Sequence, residues 1–264
     1  MPLPLRSCPG GRRSKNSDAS GNYSHHFTLN AVTPLWPLVL DHVGGPVYGV
    51  YMSYQREKIL AAAVELYLQD GLDGFSMRKL AKQVGVTAPA LYRHYAGKEA
   101  VLADVMREAH RAFMSYLYRA IEAPTPRERF QGAGERYLDF ALEHPRWHAI
   151  LSFGPEQLGM VELPADIEAM SSARHQFWID RVRECMDAGI LEDGDPTQTA
   201  LTLWAHAHGL LQLYRQGHLQ IGESEFRALF EESGVRLICG IATDAFAHEL
   251  AERYLDAAPT ATEA

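Results

Sequence analysis

Residues 76–98 read SMRKLAKQVGVTAPALYRHYAGK, a sequence with the pattern of two short helices separated by a turn. Ser76 is placed to cap a short helix whose apolar residues share one face, and Gly85 supplies a turn without steric cost. Thr87 is placed to cap a second helix, which turns Leu91 inward. Two short helices joined by a glycine-containing turn of three or four residues form a helix-turn-helix, whose second helix fits the major groove of DNA.

The charges of the same stretch also favour contact with DNA. Five basic residues fall within 21 positions, and no acidic residue lies between Gly74 and Lys98; the basic residues are Arg78, Lys79, Lys82, Arg93 and Lys98. The phosphate backbone is the largest source of affinity for duplex DNA, so a DNA-binding domain requires such a basic surface. The alternative is a small helical bundle whose glycine turn and surface basic residues have no such function.

The order of residue types around this stretch resembles the tetracycline-repressor (TetR) family of transcriptional regulators. The resemblance runs from about Arg56 to Val105, and it is carried by Phe75-Ser76, Leu80-Ala81, Gly85-Val86-Thr87, Leu91-Tyr92, His94-Tyr95 and Gly97-Lys98-Glu99. It implies an all-α protein of about nine helices. A three-helix DNA-binding domain with the helix-turn-helix comes first, and a helical bundle for effector binding and dimerisation follows.

This resemblance also implies which side chains face DNA. The predicted contacts are Ser76, Arg78, Thr87, Ala88, Ala90, Tyr92, Arg93, His94, Tyr95 and Lys98. Phosphate contacts from Tyr92, His94 and Lys98 would fix the register, whereas Arg78 is the candidate for a bidentate guanine contact. Ala88 and Ala90 stand where the family often has polar residues. Few side chains are therefore left to form hydrogen bonds with base edges.

Composition and charge distribution fit a cytoplasmic protein of this kind. The 264 residues suffice for one large or two modest domains, and 47% hydrophobic with 22% charged residues is ordinary for a globular protein. The net charge of −8 is uneven: residues 53–107 carry +2 and residues 108–264 carry −12. No apolar run approaches the roughly 20 residues that cross a bilayer, and three widely separated cysteines indicate a reducing compartment.

The sequence divides into four segments. Residues 1–51 are rich in proline, glycine and serine, and we expect an N-terminal extension that is disordered or not native, with Met52 as the true start. The alternative is a basic arm that adds nonspecific DNA contact. Residues 52–98 are predicted to form the DNA-binding domain, residues 99–257 the effector-binding and dimerisation domain, and residues 258–264 a flexible tail.

Helix signals continue through the second domain. Thr125-Pro126-Arg127-Glu128 is a capping box, Asp195-Pro196 starts another helix, and the last helix is expected from Glu223 to about Leu255. The last two helices are apolar on several faces, and such helices must be covered on all sides. The expected cover is a second copy, which gives an intermolecular four-helix bundle. The family resemblance likewise implies a homodimer that reads a near-palindromic operator.

The segment LWAHAHGLLQLY at 203–214 has a second resemblance, to the Trp-His-Gly (WHG) class of TetR effector domains, through Trp204, His208 and Gly209. Pockets between bundle helices are mostly apolar with a few polar groups. We therefore predict a site for a small apolar or aromatic effector, lined by His110, Phe113, Tyr137, Trp147, Phe153, Met170, Trp178, Trp204 and His208. The alternatives are a packed core histidine at 208 and a core filler at Met170.

Catalysis is not predicted. His206 and His208 diverge by about 200° on a helix and cannot share an ion, and Pro145 makes His144 a cap rather than a helical partner of His148. There is no glycine-rich phosphate loop, no Gly-x-Ser-x-Gly and no zinc-type spacing, so we expect neither catalytic residues nor metal nor cofactor. The predicted function is a repressor that a small-molecule effector releases from DNA. The alternative is a constitutive DNA-binding or architectural dimer without an effector pocket.

Overall fold

The computed structural model describes residues 47–254, with side chains from residue 55 to residue 253. Within that range the backbone forms ten α-helices: α1 (Val47–Gly74), α2 (Met77–Val84), α3 (Ala88–Tyr92), α4 (Lys98–Tyr118), α5 (Pro126–Glu143), α6 (Pro145–Ile150), α7 (Ala165–Asp187), α8 (Pro196–Arg215), α9 (Glu223–Cys239) and α10 (Asp244–Tyr254). This confirms the predicted all-α fold. Each helix in the described range is too short or too polar to cross a lipid bilayer.

Most of the predicted N-terminal extension and the predicted tail lie outside the described residues, which exclude 1–46 and 255–264. Helix α1 begins at Val47, so residues 47–51, which the sequence assigned to the extension, are helical. The helical path of α1 is interrupted at Gly71, where φ is 72°. Glycine takes this left-handed conformation at little cost, so the chain can leave the helical path at this residue.

The caps and the turn of the helix-turn-helix largely agree with the sequence predictions. Ser76 Oγ accepts a hydrogen bond from the Lys79 backbone N–H at 3.2 Å, which caps α2 as predicted. Gly85 ends α2 with φ of 78°, and its N–H bonds to the carbonyl of Ala81, which closes the predicted turn. Thr87 occupies the N-cap position of α3, but its side chain makes no capping hydrogen bond, so that part of the prediction is wrong.

Helix α4 belongs to the cores of both domains. Leu80 and Leu91 from the helix-turn-helix are fully buried, and Leu102 and Val105 from α4 pack in the same apolar cluster at 0% exposure. This cluster continues along α4 to Phe113 and then reaches α5 and α7. The DNA-binding domain is therefore continuous in packing with the C-terminal body, and α4 is the element they share.

The C-terminal body uses the predicted caps. Thr125 and Glu128 form the capping box of α5, with both reciprocal hydrogen bonds at 3.2 Å. Asp195 Oδ1 accepts from the Thr197 N–H at 2.8 Å and caps α8. Helices α7 and α8 pack against each other, and α9 packs on α8.

The predicted single last helix is wrong, because it breaks between α9 and α10. In the break, Glu192 N–H donates to the Ile241 carbonyl at 2.9 Å and Thr243 N–H donates to the Ile190 carbonyl at 3.1 Å. Leu191 and Ala242 are paired as an isolated antiparallel bridge, and both are buried. Long-range hydrogen bonds thus replace helical ones directly after a glycine, a weak helix former.

Candidate DNA-binding surface and effector site

Most predicted DNA contacts lie at the surface of the helix-turn-helix. Arg78, Thr87, Tyr92 and Arg93 are exposed, with 52% of Tyr92 accessible. The remaining surface members are partly buried: Ser76, Ala88, Ala90, His94 and Lys98. The placement of the exposed arginines and the tyrosine leaves their polar atoms accessible to a DNA duplex.

The basic residues of this surface divide into two kinds. Lys79 is neutralised, because its Nζ lies 2.7 Å from Asp70 Oδ2 and 2.9 Å from the Gly74 carbonyl. Arg78, Lys82 and Arg93 form no ion pair with any residue of the described range, and Lys82 and both arginines are exposed. Their charges are therefore available to phosphates, whereas that of Lys79 stabilises the packing of α2 on α1.

Lys98 at the start of α4 forms a hydrogen bond with the backbone of α1. Its Nζ donates to the Leu72 carbonyl at 3.1 Å and lies 6.0 Å from the centroid of the Phe75 ring. An ammonium group has three donors, so this bond leaves two for other acceptors. Lys98 thus fixes the start of α4 against the end of α1 and still carries donors for a phosphate.

Tyr95 was predicted to contact DNA, and the structure corrects this. Only 3% of Tyr95 is exposed, its hydroxyl donates to Asp104 Oδ2 at 2.9 Å, and the Arg56 guanidinium lies 5.0 Å above its ring. Burial, reinforced by the bond to Asp104, raises the pKa of Tyr95 to about 12. Its position four residues after the buried Leu91 places it on the inner face, a signal that the sequence did contain.

Asp104 is the residue that sequence reasoning missed. This α4 side chain is 12% exposed and accepts hydrogen bonds from Arg56 Nη2 at 3.0 Å, Tyr95 Oη at 2.9 Å and Arg107 Nη1 at 2.5 Å. Burial disfavours its ionised form, but the hydrogen bonds from Arg56 and Tyr95 outweigh burial and lower its pKa. Asp104 therefore joins α1, the end of the helix-turn-helix and α4 through one carboxylate.

A bidentate ion pair extends this connection to the C-terminal body. Arg107 donates from Nε to Asp166 Oδ2 at 2.5 Å and from Nη2 to Asp166 Oδ1 at 2.9 Å. Asp166 lies in the first turn of α7, whereas Arg107 also bonds Asp104 on α4. The two carboxylates and Arg107 form a continuous link from α7 to the helix-turn-helix.

The larger cavity of the body has a volume of about 380 Å³. It lies between α5, α7, α8, α9 and α10, and its wall is mostly apolar, with Phe130, Leu138, Trp178, Trp204, Phe230 and Ile238 among its residues. This volume falls within the range of small-molecule sites. The residues from α9 and α10 were absent from the predicted set, because the C-terminal helical segment was predicted to form the dimer interface instead.

The predicted effector residues separate into three groups. Tyr137, Trp178 and Trp204 line the large cavity and also a second, small one of about 20 Å³, and Phe113 and His208 line only the small one. The other four predicted residues line neither: His110, Trp147, Phe153 and Met170. His110 is buried at 2% exposure, and Trp147 and Phe153 pack on the main core instead.

The small cavity is bordered by polar side chains in fixed contacts. Tyr137 Oη lies 3.1 Å from His148 Nε2, and Arg215 Nη1 lies 3.0 Å from His148 Nδ1. Burial, with the nearby Arg215 charge, lowers the pKa of His148 to about 3, so this imidazole is neutral at physiological pH. Arg174 donates to the Leu151 carbonyl at 3.2 Å.

Comparisons with known proteins match both parts of the chain. The family model described as bacterial regulatory proteins, tetR family, matches residues 59–105. A second model, described as the tetracyclin repressor-like C-terminal domain, matches residues 130–237. The first match contains the helix-turn-helix and the second contains α7, α8 and most of α9.

Individual relatives agree with these family matches. The HTH-type transcriptional repressor KstR2 of Mycobacterium tuberculosis H37Rv is 26% identical over 157 residues, which cover 57% of this chain and 73% of that protein. A protein of unknown function from Rhodococcus sp. RHA1 has 25% identity and a TM-score of 0.63, covering 72% of this chain and 96% of its own. The crystal structure of AibR in complex with isovaleryl coenzyme A and operator DNA shares the fold, with 20% identity, a TM-score of 0.54, and coverage of 70% and 98%.

Proposed function

Because the chain belongs to the TetR family of transcriptional regulators, we propose that it is a ligand-responsive repressor that binds operator DNA as a homodimer in the cytoplasm. The observation that carries this proposal is the joint presence of exposed, unneutralised basic residues on α2 and after α3 and of a 380 Å³ cavity in the body. KstR2 is named a repressor, and AibR was crystallised with both an acyl coenzyme A and operator DNA. Both support a function of the same type.

The DNA-binding step places α3 in the major groove. Tyr92, His94 and Lys98 bond phosphates and set the register, and the exposed Arg78 on α2 reaches a guanine edge. Lys98 stays bonded to the Leu72 carbonyl while it donates to a phosphate, which links the end of α1 to the DNA backbone.

Homodimerisation is supported by an exposed stripe on α8. Leu201, Ala205, Gly209 and Leu213 recur every four residues and are exposed, with 58% of Leu201 and 42% of Leu213 accessible. A Cβ at Gly209 would meet no atom within 4 Å, so this side of α8 is open. A second copy covers the stripe in a four-helix bundle of α8 and α9, and the two DNA-binding domains address half-sites about one DNA turn apart, roughly 34–36 Å.

Effector binding acts on DNA through α7 and α4. The body's cavity is walled partly by α7, and α7 is tied to α4 by the Arg107–Asp166 pair. An effector that binds one arrangement of α7 more tightly than the other shifts the population of α4 positions and separates the two DNA-binding domains from their half-sites.

The DNA-binding part is tested with substitutions on the basic surface and operator fragments taken from upstream of the protein's own gene. Lys98→Ala is expected to weaken binding to all sequences alike and to reduce the salt slope by about one, because a phosphate contact is lost. Arg78→Ala should also reduce sequence specificity: the binding free energy that distinguishes guanine from the other bases at one operator position should fall by about 1–3 kcal/mol. Arg183→Ala, an exposed arginine on α7 paired with Asp180, is the control. Unchanged operator affinity in both the Lys98 and Arg78 variants would contradict the assignment.

A constitutive DNA-binding dimer is the competing function. It needs no ligand site, so the mostly apolar 380 Å³ cavity favours the ligand-responsive form. Titrating small apolar compounds, first against the protein and then against the protein–operator complex, separates the two. A compound that binds the body at saturation without changing operator affinity would refute the switch.

A further inference from the structure

The small cavity has an unusual wall for the interior of a helical body. Six of its ten lining residues are polar, and none of the ten is acidic; the polar ones are Tyr137, His148, Ser152, Arg174, His175 and His208. Buried hydrogen-bond donors are normally paired with acceptors, and buried charges with opposite charges. A wall of donors and neutral imidazoles without a carboxylate is complementary to an anion.

Arg174 in the cavity wall and Arg215, which contacts the wall residue His148, both lack an acidic partner among the described residues. Arg174 donates to the Leu151 carbonyl and to Ser171 Oγ at 3.3 Å, and Arg215 donates to His148 and to the Ala141 carbonyl. Neither arginine forms an ion pair with a carboxylate of the described chain. Burial lowers the pKa of both guanidinium groups, which is the reverse of the shift that a salt bridge gives to Arg107.

The hydrogen-bond directions leave a donor free at Tyr137. A guanidinium group only donates, so His148 Nδ1, 3.0 Å from Arg215, carries a lone pair and the ring proton sits on Nε2. His148 Nε2–H therefore donates to Tyr137 Oη at 3.1 Å. The hydroxyl hydrogen of Tyr137 then points away from His148, and no acceptor for it is present among the described residues.

His208, which lines the small cavity, adds another donor, and His110, which does not line it, is buried near Arg174. Gln212 Nε2 lies 3.2 Å from His208 Nε2, and an amide nitrogen donates, so the ring proton of His208 is on Nδ1. His110 is 2% exposed, has no partner for Nδ1 within the described structure, and feels the charges of Arg174 and His175, which with burial lower its pKa to about 4. The charges of Arg174 and Arg215 therefore lie among neutral imidazoles, and no carboxylate lines the small cavity.

The small cavity shares a wall with the large one. Tyr137, Trp178 and Trp204 line both, so a ligand in the large cavity lies one side chain away from the cluster around Arg174. The large cavity has about 380 Å³ of mostly apolar space, and the small one has about 20 Å³, enough for a group little larger than one water molecule. A carboxylate needs less room than a phosphate, and it reaches this space from the large cavity when the shared side chains Tyr137, Trp178 and Trp204 move apart.

We propose that the small cavity receives the carboxylate of an effector whose apolar body occupies the large cavity. The carboxylate accepts hydrogen bonds from Arg174 and the Tyr137 hydroxyl, and Arg215 acts through His148 as a positioning residue. This inference rests on the proposed function, because it names the chemical class of the effector for the same body.

The test compares acids with their amides. Hexanoate, decanoate and 4-phenylbutyrate, each beside its primary amide, are titrated against the full-length protein by calorimetry and thermal unfolding. We expect the acids to bind at least tenfold more tightly than the matched amides, because charged hydrogen bonds are stronger than neutral ones. Arg174→Met should abolish this preference, Arg174→Lys should restore part of it, and Arg183→Met on the exposed side of α7 should not change it.

Thermal unfolding of the variants without ligand shows whether Arg174 serves binding or stabilises the fold. Arg174→Met removes a partly buried cation that has no acidic partner, so its unfolding midpoint should equal or exceed that of the wild type. Equal affinity for acids and amides, or an acid preference that survives Arg174→Met, would overturn the inference while the proposed function stands. If neither acids nor amides bind although operator DNA does, the inference is overturned together with the effector part of the proposed function.

Discussion

Replacing Asp104 with asparagine is expected to destabilise the protein far more than the same change at the surface. The asparagine keeps one acceptor oxygen for the three donors that now converge on the carboxylate. Arg56 is 56% exposed and regains water at little cost, but Arg107 at 22% and the buried Tyr95 hydroxyl lose a charged acceptor. We expect the loss of these hydrogen bonds to lower the free energy of unfolding by about 2–3 kcal/mol.

Thermal unfolding followed by circular dichroism measures this difference. For a body of this size, about 2–3 kcal/mol lowers the midpoint by roughly 4–12 °C. Asp180→Asn is the matched control, because that carboxylate is 43% exposed and its partner Arg183 lies on the same helix, so we expect a loss below about 0.5 kcal/mol. An Asp104→Asn midpoint within about 1 °C of the control would show that the network around Asp104 does not stabilise the fold.

The pH dependence of the unfolding free energy provides a second check on Asp104. The pKa of Asp104 is lower in the folded protein than in the unfolded chain, so its contribution is fully present above the unfolded value of about 3.9. That contribution is lost as the pH falls through the folded pKa. The difference in unfolding free energy between wild type and Asp104→Asn should therefore be constant near neutral pH and shrink below about pH 4.

Five further substitutions test the remaining assignments. Gly85→Ala should cost about 1–2 kcal/mol in thermal unfolding, because φ of 78° is left-handed. Leu213→Glu should shift the sedimentation profile toward monomer, and an unchanged dimer would exclude the α8 stripe. Tyr92→Phe should weaken operator binding without changing the unfolding midpoint, whereas Tyr95→Phe should lower the midpoint. Asp166→Asn should leave folding and operator affinity unchanged yet reduce effector-induced release, measured by fluorescence anisotropy.

Features set by a few neighbouring residues were predictable from the sequence. The cap at Ser76, the left-handed Gly85 and the Thr125–Glu128 capping box all depend on side chains that meet backbone groups within one turn. Asp195 belongs to the same group. In each case the bond partner is fixed by sequence separation, so the residue types suffice to predict it.

Features that depend on distant partners were not predictable in this way. The break after Cys239 exists because Ile190 and Glu192, about fifty residues earlier, supply hydrogen bonds that replace the helical ones. The large cavity depends on that break, since α10 supplies Phe246 to its wall. Asp104 likewise has its role through Arg56, 48 residues away. Residue types gave no sign of these pairings, so the predicted effector set reached only the α5, α7 and α8 side of the large cavity.

Helix α7 carries the two contacts on which effector control would depend. Arg174 at the small cavity and Asp166 at the α4 link are eight residues apart on one uninterrupted helix, about 12 Å along its axis. No loop lies between them, so a displacement of Arg174 toward a bound anion would move Asp166 together with the helix. Changing operator affinity 5- to 150-fold requires a coupling of about 1–3 kcal/mol, the size of one charged hydrogen bond. One hydrogen bond from Arg174 to the proposed effector, made in only one arrangement of α7, would therefore be sufficient for the proposed switch.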